Sequence, residues 1–269
     1  NLLRREVTAY ASKATGMQIQ VERIDLRFPL NLLVRGVEVI QQPDTLLSLE
    51  SLNVRVQAWP LLKGKVEVDE VTLSQVAVNS ANLIEGMQIK GVLGRFFLQS
   101  HGVDLSNETA VVNRTELSDT HIQLLMTDTT TTPKDTTASA PVNWKVNLHQ
   151  LKLKNVSFGM KLPADSMKMA AYIGEATIDD AKADLKNQFY GLKQFLLSGA
   201  SASYDTGEAQ PSEGFDASHM AVRNIRIGLD SLLYEGRNMN AVIREITMEE
   251  RSGLSITSLT GRLFSNDSI

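Results

Sequence analysis

The chain has no cysteine among its 269 residues, which excludes a disulfide scaffold, a thiolate zinc site and a cysteine nucleophile together. It also lacks an excess of either charge. Lys and Arg number 27 against 31 Asp and Glu, and the balance holds in both halves: 12 basic and 14 acidic over residues 1–126, 15 and 17 over 127–269. A protein that holds nucleic acid by its phosphates presents a basic face, so no nucleic-acid partner is expected. Long apolar runs are missing, and none approaches the ~20 residues that span a bilayer. Residues 1–16 are too polar to supply the apolar core of a signal peptide.

Catalytic signatures are missing as well, and no enzyme and no cofactor are expected. The four histidines, His101, His121, His149 and His219, are never three or four residues apart, so no helical zinc pair exists. His149 reads as a solvated strand residue. Gly91-Val92-Leu93-Gly94-Arg95 has glycines but no Lys-Ser or Lys-Thr to hold a phosphate, and it reads as a turn. Asp179, Asp180 and Asp184 form the densest acidic cluster. They lack the alternate ligands and central glycine of a calcium loop, so a solvated loop is expected there. No Gly-x-Ser-x-Gly elbow occurs.

What remains is ordinary globular composition, 42% hydrophobic and 22% charged, in a length that suits one large domain or two ordinary ones. The chain starts at Asn1 and stops at Asn266-Asp267-Ser268-Ile269, and it is expected to be a piece of something longer. Leu3, Val7, Tyr10 and Ala14 recur at helical spacing, and Gly16 is placed to end that helix. From Met17 the period becomes two, as in a strand with one covered face. The alternation then slips by one and resumes as Ile24-Asp25-Leu26-Arg27-Phe28.

That slip recurs as a pattern of apolar, polar, polar, apolar, any, apolar. Copies are Val21–Leu26, Leu49–Val54, Val68–Leu73, Leu148–Leu153, Leu192–Leu197, Val222–Ile227 and Ile243–Met248. Two adjacent polar residues inside an alternating run imply one extra residue on one strand, a β-bulge, which bends and twists the sheet. Recurrence along the chain points to stacked units with one continuous core. Pro43-Asp44, Pro163-Ala164-Asp165 and Glu235-Gly236-Arg237-Asn238 supply turn chemistry between the runs. Residues 127–141 hold seven threonines and almost nothing apolar, so a mobile loop is expected. The resulting organisation is a helix end at 1–16, a β segment at 17–126, the loop at 127–141 and a second β segment at 142–269.

One succession carries a resemblance. A helix end passes into Ile19–Leu26, Leu33–Val39 and Leu46–Val54, then into Pro60-Leu61-Leu62-Lys63-Gly64 and the strand Val66–Leu73. This resembles the N-terminal periplasmic region of the TamB and AsmA-like family of Gram-negative bacteria. Leu148–Phe158 and Ala170–Tyr204 resemble further repeats of the kind found in Bacteroidota. The resemblance implies a mainly β fold: an elongated, curved, taco-like and antiparallel-rich sheet groove built from repeats, with a short N-terminal helix. It implies a periplasmic segment of an inner-membrane-anchored protein that moves phospholipid toward the outer membrane. The family's anchoring helix and its C-terminal region, through which an outer-membrane barrel partner is engaged, would lie outside this chain. The alternative that the family suggests is a scaffold for outer-membrane protein assembly and translocation through β-strand pairing. Asp128-Thr129-Thr130 and Asp135-Thr136-Thr137 resemble O-glycan acceptor sites of Bacteroidota periplasmic proteins.

The fourth and sixth residues of each copy fall on one face of a strand. Ile24, Leu26, Leu52, Val54, Val71, Leu73, Leu151, Leu153, Ile225, Ile227, Ile246 and Met248 are therefore the expected acyl-chain-lining residues. Arg23, Asp25, Asn53, Thr72, Lys152, Lys154 and Arg226 are expected to face water on the convex side. Aromatics are only 6%, and aliphatic surfaces suit variable acyl chains, whereas packed cores draw on aromatics for volume. Read from the residues alone, the same positions also fit the core of a β-sandwich.

Overall fold

A computed structural model describes residues 2–28, 30–41, 43–61, 67–80, 83, 86–104, 107–126, 143–207 and 210–266. Helix α1 (Leu2–Thr15) leads into strands β1 (Gln18–Arg27), β2 (Asn31–Gln41), β3 (Asp44–Val56), β4 (Val68–Asn79), β5 (Met87–Asp104), β6 (Thr109–Met126) and β7 (Lys145–Leu162). The chain continues as β8 (Met167–Asp184), β9 (Phe189–Leu192), β10 (Gln194–Asp205), β11 (His219–Glu235), β12 (Asn238–Glu250) and β13 (Ser255–Ser265). All thirteen strands belong to one sheet, in the order β1 to β8, then β10 to β13, with β9 pairing β8 and β11. Neighbours are antiparallel except β6 and β7, which run parallel. Both β segments thus lie in one sheet. The threonine-rich stretch between β6 and β7, with both Asp-Thr-Thr sites, lies outside the described residues.

Local chemistry sets the ends. Gly16 takes φ +69° and its N–H bonds Ser12 O, a left-handed helix stop open to glycine. Helix α1 lies at the outer edge of β1: Ser12 Oγ accepts from Ile19 N–H at 3.1 Å, and Arg4 donates to Glu22 O at 3.0 Å. An otherwise bare edge is partly covered in this way. At the far side, β13 pairs only β12 and is exposed along nearly its whole length.

No second sheet packs on this one. Substantial contacts join only strands that pair in the sheet, and α1 with β1. The β-sandwich that the residues alone allowed is therefore not the arrangement of the described strands. Buried hydrophobic residues are limited to Ile24, Leu46, Ala110, Ala176, Ala200 and Ala241 among the described residues. The accessible surface is 17590 Å², where a compact chain of 29.6 kDa would expose about 11,600 Å². The sheet is a single layer with two open faces.

The slips in the alternation align across it. Glu22, Gly36, Glu50, Gln75, Gly94, Asp119, Asn155, Gly174 and Gly199 stand in line from β1 to β10. The ladder pairs close on both sides of each, and it leaves them out. Register does not shift across β1–β2, because Val21↔Val37 and Arg23↔Arg35 bracket Glu22 and Gly36 symmetrically. This corrects the expectation of an extra residue on one strand. At the copies beginning with Val21, Leu49, Leu148 and Leu192, the extra residue on one strand is matched by one on its neighbour. One-sided register shifts occur near Val68, Arg223 and Ile243. Gly36, Gln75, Asp119, Asn155 and Gly199 on this seam all have φ between 50° and 61°. A second seam runs parallel through Asn113, His149, Asp180 and Lys193, six residues further along each strand, roughly 20 Å away.

Two readings of the sequence change accordingly. Gly91–Arg95 is not a turn but the middle of β5, where it crosses the seam. Asp179, Asp180 and Asp184 are not in a loop but in the last turns of a long strand, β8, with Asp180 on the second seam at φ +50°.

Candidate functional site

Cross-strand partners share a face, so the ladder shows what each face presents. One row runs the full width of the sheet: Ile24, Val34, Leu52, Leu73, Phe96, Leu117, Leu153, Ala176, Leu197, Ile227, Ile246 and Leu259. Every member is apolar. Two residues along each strand lies a second row with Leu26, Leu32, Val54, Val71, Leu98, Leu151, Ile178, Phe195 and Leu229, broken by Thr115 and closed by Gly261. Across the first seam a third row carries Val21, Val37, Leu49, Val76, Leu93, Thr120, Val156 and Ile173, and further on Ile225 and Met248.

The seam keeps these rows on one side. In plain alternation Val21 and Ile24 would point oppositely. Here the two residues between them, Glu22 and Arg23, are both exposed, as are Glu50, Gln75, Asp119, Lys154 and Asn155 on other strands. The flanking Ile24, Thr120, Ala176 and Ala200 are buried. Two successive residues turned to water leave the apolar ones before and after them on the opposite face.

All twelve sequence-predicted positions therefore sit on three adjacent rows. Ile24, Leu52, Leu73, Leu153, Ile227 and Ile246 are on the first row, Leu26, Val54, Val71 and Leu151 on the second, and Ile225 and Met248 on the third. Ile24 is 2% exposed and Leu26 62%, and the other ten are half-buried by their neighbours in the sheet. Asp25, Asn53, Thr72 and Lys152 fall on a row of the other face, with Leu33, Phe97 and Leu196 among them. Sequence reasoning missed Val34, Phe96, Leu117, Ala176, Leu197 and Leu259 on the first row. On β2, β5 and β8 a glycine stands in for one of the two polar residues at the seam, and on β6 Thr120 replaces the apolar residue that would close it, which hides the pattern.

On that other face Asn31 Oδ1 and Asn53 Oδ1 are buried without a hydrogen-bond partner, so Asn53 does not face water as expected. Two charged clusters elsewhere are internally satisfied. Asp180 accepts from Lys193 Nζ at 2.8 Å and contacts His149 Nδ1 at 3.0 Å, tying β7, β8 and the β9–β10 junction across the second seam. The Lys193 hydrogen bond, and then that of His149, hold the Asp180 carboxyl below its usual range. Asp216 contacts His219 Nδ1 at 3.0 Å and accepts from the N–H groups of Ser212 and Ser218 at 3.0 and 2.9 Å. Those backbone bonds hold its carboxyl well below the carboxylate range. Ser212 Oγ bonds the same Asp216 oxygen and not the histidine ring, so the trio fastens a loop and does not form a Ser–His proton relay. Among the described residues no group of three or more His, Asp or Glu could hold a metal ion, and no helix is long and apolar enough to cross a membrane.

The opposite face holds a cavity of about 1480 Å³ between β5 and β13. Its lining is drawn mainly from residues alternating with the apolar rows, such as Lys90, Gln123, Lys161, Lys168, Tyr172, Ser203 and Arg223. Of the twelve predicted residues, Met248 alone lines it, and Ile227 borders a smaller hollow of about 320 Å³. Compared with known protein families and with curated proteins, the chain matches none.

Proposed function

We propose that this chain is a segment of a periplasmic bridge protein of the TamB and AsmA-like kind, and that it carries phospholipid acyl chains along its aliphatic face from the inner toward the outer membrane. The observation that carries this reading is the row from Ile24 to Leu259, apolar on all twelve strands of the main path with no second layer on it. An aliphatic chain half covered by such a face gains about 6 kcal/mol over water for sixteen carbons, at ~0.8 kcal/mol per methylene. A bilayer covers the whole chain, so the half-covered state lies about 6 kcal/mol above it, and lipid is held against water without being trapped. The first row is continuous, so sliding along it exchanges one aliphatic contact for the next. Between β5 and β13 the sheet is hollow on the other face, not on the side of the predicted groove-lining residues, so the aliphatic rows there would hold the acyl chain as an open surface with head groups in water.

The free edge of β13, with Leu259, Leu263 and Phe264 each 45% exposed or more, favours a second reading: an assembly scaffold that pairs with client strands. Native mass spectrometry after incubation with phosphatidylethanolamine and phosphatidylglycerol vesicles separates the two. Phospholipid retained on the chain is expected. A chain that leaves the vesicles lipid-free contradicts the conduit.

A further inference from the structure

From the cavity on the polar face we infer a binding site for an anionic amphiphile, a phosphate or carboxylate head with an aliphatic tail. It lies on the other face from the aliphatic rows and does not depend on the acyl-chain reading. Lys161 and Lys168 are direct cross-strand partners where β7 turns into β8. Like charges so placed repel. The turn between them is tight, a 3-10 turn at Pro163–Asp165 with Ser166 at φ +49°, so the bases of the two lysine side chains are held as neighbours, about 5 Å apart, before any ligand arrives. Lys90 lines the same wall from β5. None of the three side chains makes an ion pair or hydrogen bond among the described residues.

The facing charges do not cancel this wall. Asp205 stands opposite Lys168 in the ladder, yet no ion pair of 4.0 Å or less joins them. Across the cavity Glu249 pairs with Arg223 at 3.1 Å, and Glu250 accepts from the N–H groups of Ser252 and Ala221 at 2.7 and 3.4 Å. Glu245 is offset by Arg226 and Arg251, which line the cavity with it. The net unsatisfied charge is positive and sits at the β7–β8 turn. From there an uncharged strip of floor runs over Gly159, Ala170, Ser203 and Ala221 toward Leu254. At about 1480 Å³ the cavity exceeds the 300–1,000 Å³ usual for compact small molecules, which suits a long tail. Head charge meets the lysines, and the tail covers that uncharged strip.

The test is calorimetric titration of the parent chain, with decyl maltoside measuring whatever tail binding the aliphatic face contributes. The probes are decyl phosphate below its micelle concentration, decyl maltoside and inorganic phosphate. Decyl phosphate is expected to bind more tightly than either other probe. Lys161→Glu with Lys168→Glu should weaken it about tenfold or more and leave decyl maltoside unchanged. Should that pair lose the far-UV signature of the sheet, Lys161→Gln with Lys168→Gln gives the same comparison with a smaller drop. Equal affinity for decyl phosphate and decyl maltoside, or no effect of the lysine pair, overturns the head-group site. Inorganic phosphate binding as tightly as decyl phosphate overturns the tail and leaves a free-anion site.

Discussion

Gly94→Ala is expected to lower the unfolding free energy by about 2–3 kcal/mol, seen as a fall in the urea midpoint. Gly94 is the buried β5 member of the first seam, opposite Asp119. A Cβ there would stand 2.7 Å from Asp119 Cβ, 2.8 Å from Asp119 O and 3.1 Å from Ser118 O. Two of those atoms are backbone and belong to a strand whose Asp119 is already held at φ +52°, so the neighbour has little freedom to give. Gly159→Ala is the matched control on β7. Its nearest atoms would be at 3.9 and 4.0 Å, and the loss of chain entropy in the unfolded state makes it neutral or mildly stabilising. Equal midpoints for the two variants would mean that the seam is loose and that register across it is not held by close backbone approach.

Leu73→Glu is expected to remove most retained phospholipid, a fall of tenfold or more in bound lipid, while the sheet stays folded. Leu73 lies on the first row between Leu52 and Phe96 and is half-buried in a single layer. With no packed core around it, the carboxylate can reach water in the lipid-free chain, and the cost to the fold stays at about 1–2 kcal/mol. Under an acyl chain the same carboxylate would have to be desolvated or protonated, which opposes lipid there by several kcal/mol. Thr72→Glu, one residue away on the other face, changes the charge equally and should leave lipid retention near the parent level. Equal losses in both variants would trace the effect to charge or stability and contradict a face-specific lipid surface.

Much of this site was legible in the sequence because a slip in a period-two pattern is a local signal. Val21-Glu22-Arg23-Ile24 tells by itself that both polar residues face one way and both apolar ones the other. The expected residues at 24, 52, 73, 153, 227 and 246 consequently fall on one row. What could not be read was alignment between strands. That Glu22 stands against Gly36, and Gly36 against Glu50, depends on register, and register is set by long-range pairing. Glycines at positions 36, 94, 174 and 199 erase the polar-polar signature on β2, β5, β8 and β10 and make Gly91–Arg95 resemble a turn. The aspartates of β8 were mistaken for a loop for a related reason. A seam sets two polar residues side by side, as at Asp179-Asp180, and so mimics the end of a strand. The parallel pairing of β6 with β7, and the lysines that it and the β7–β8 turn bring to one wall, left no local trace at all.

Photo-crosslinking in cells tests the central claim most directly, with a reactive amino acid placed at Leu52, Leu73, Leu151 or Ile225. Matched probes at Asn53, Thr72 and Lys152 report the residues next in chain to those rows and lie outside the cavity of the other face. The conduit predicts phospholipid adducts from the first set and few from the second. Protein adducts from the first set, or the same yield from both, would contradict a lipid-bearing face and leave a strand-pairing scaffold or a spacer.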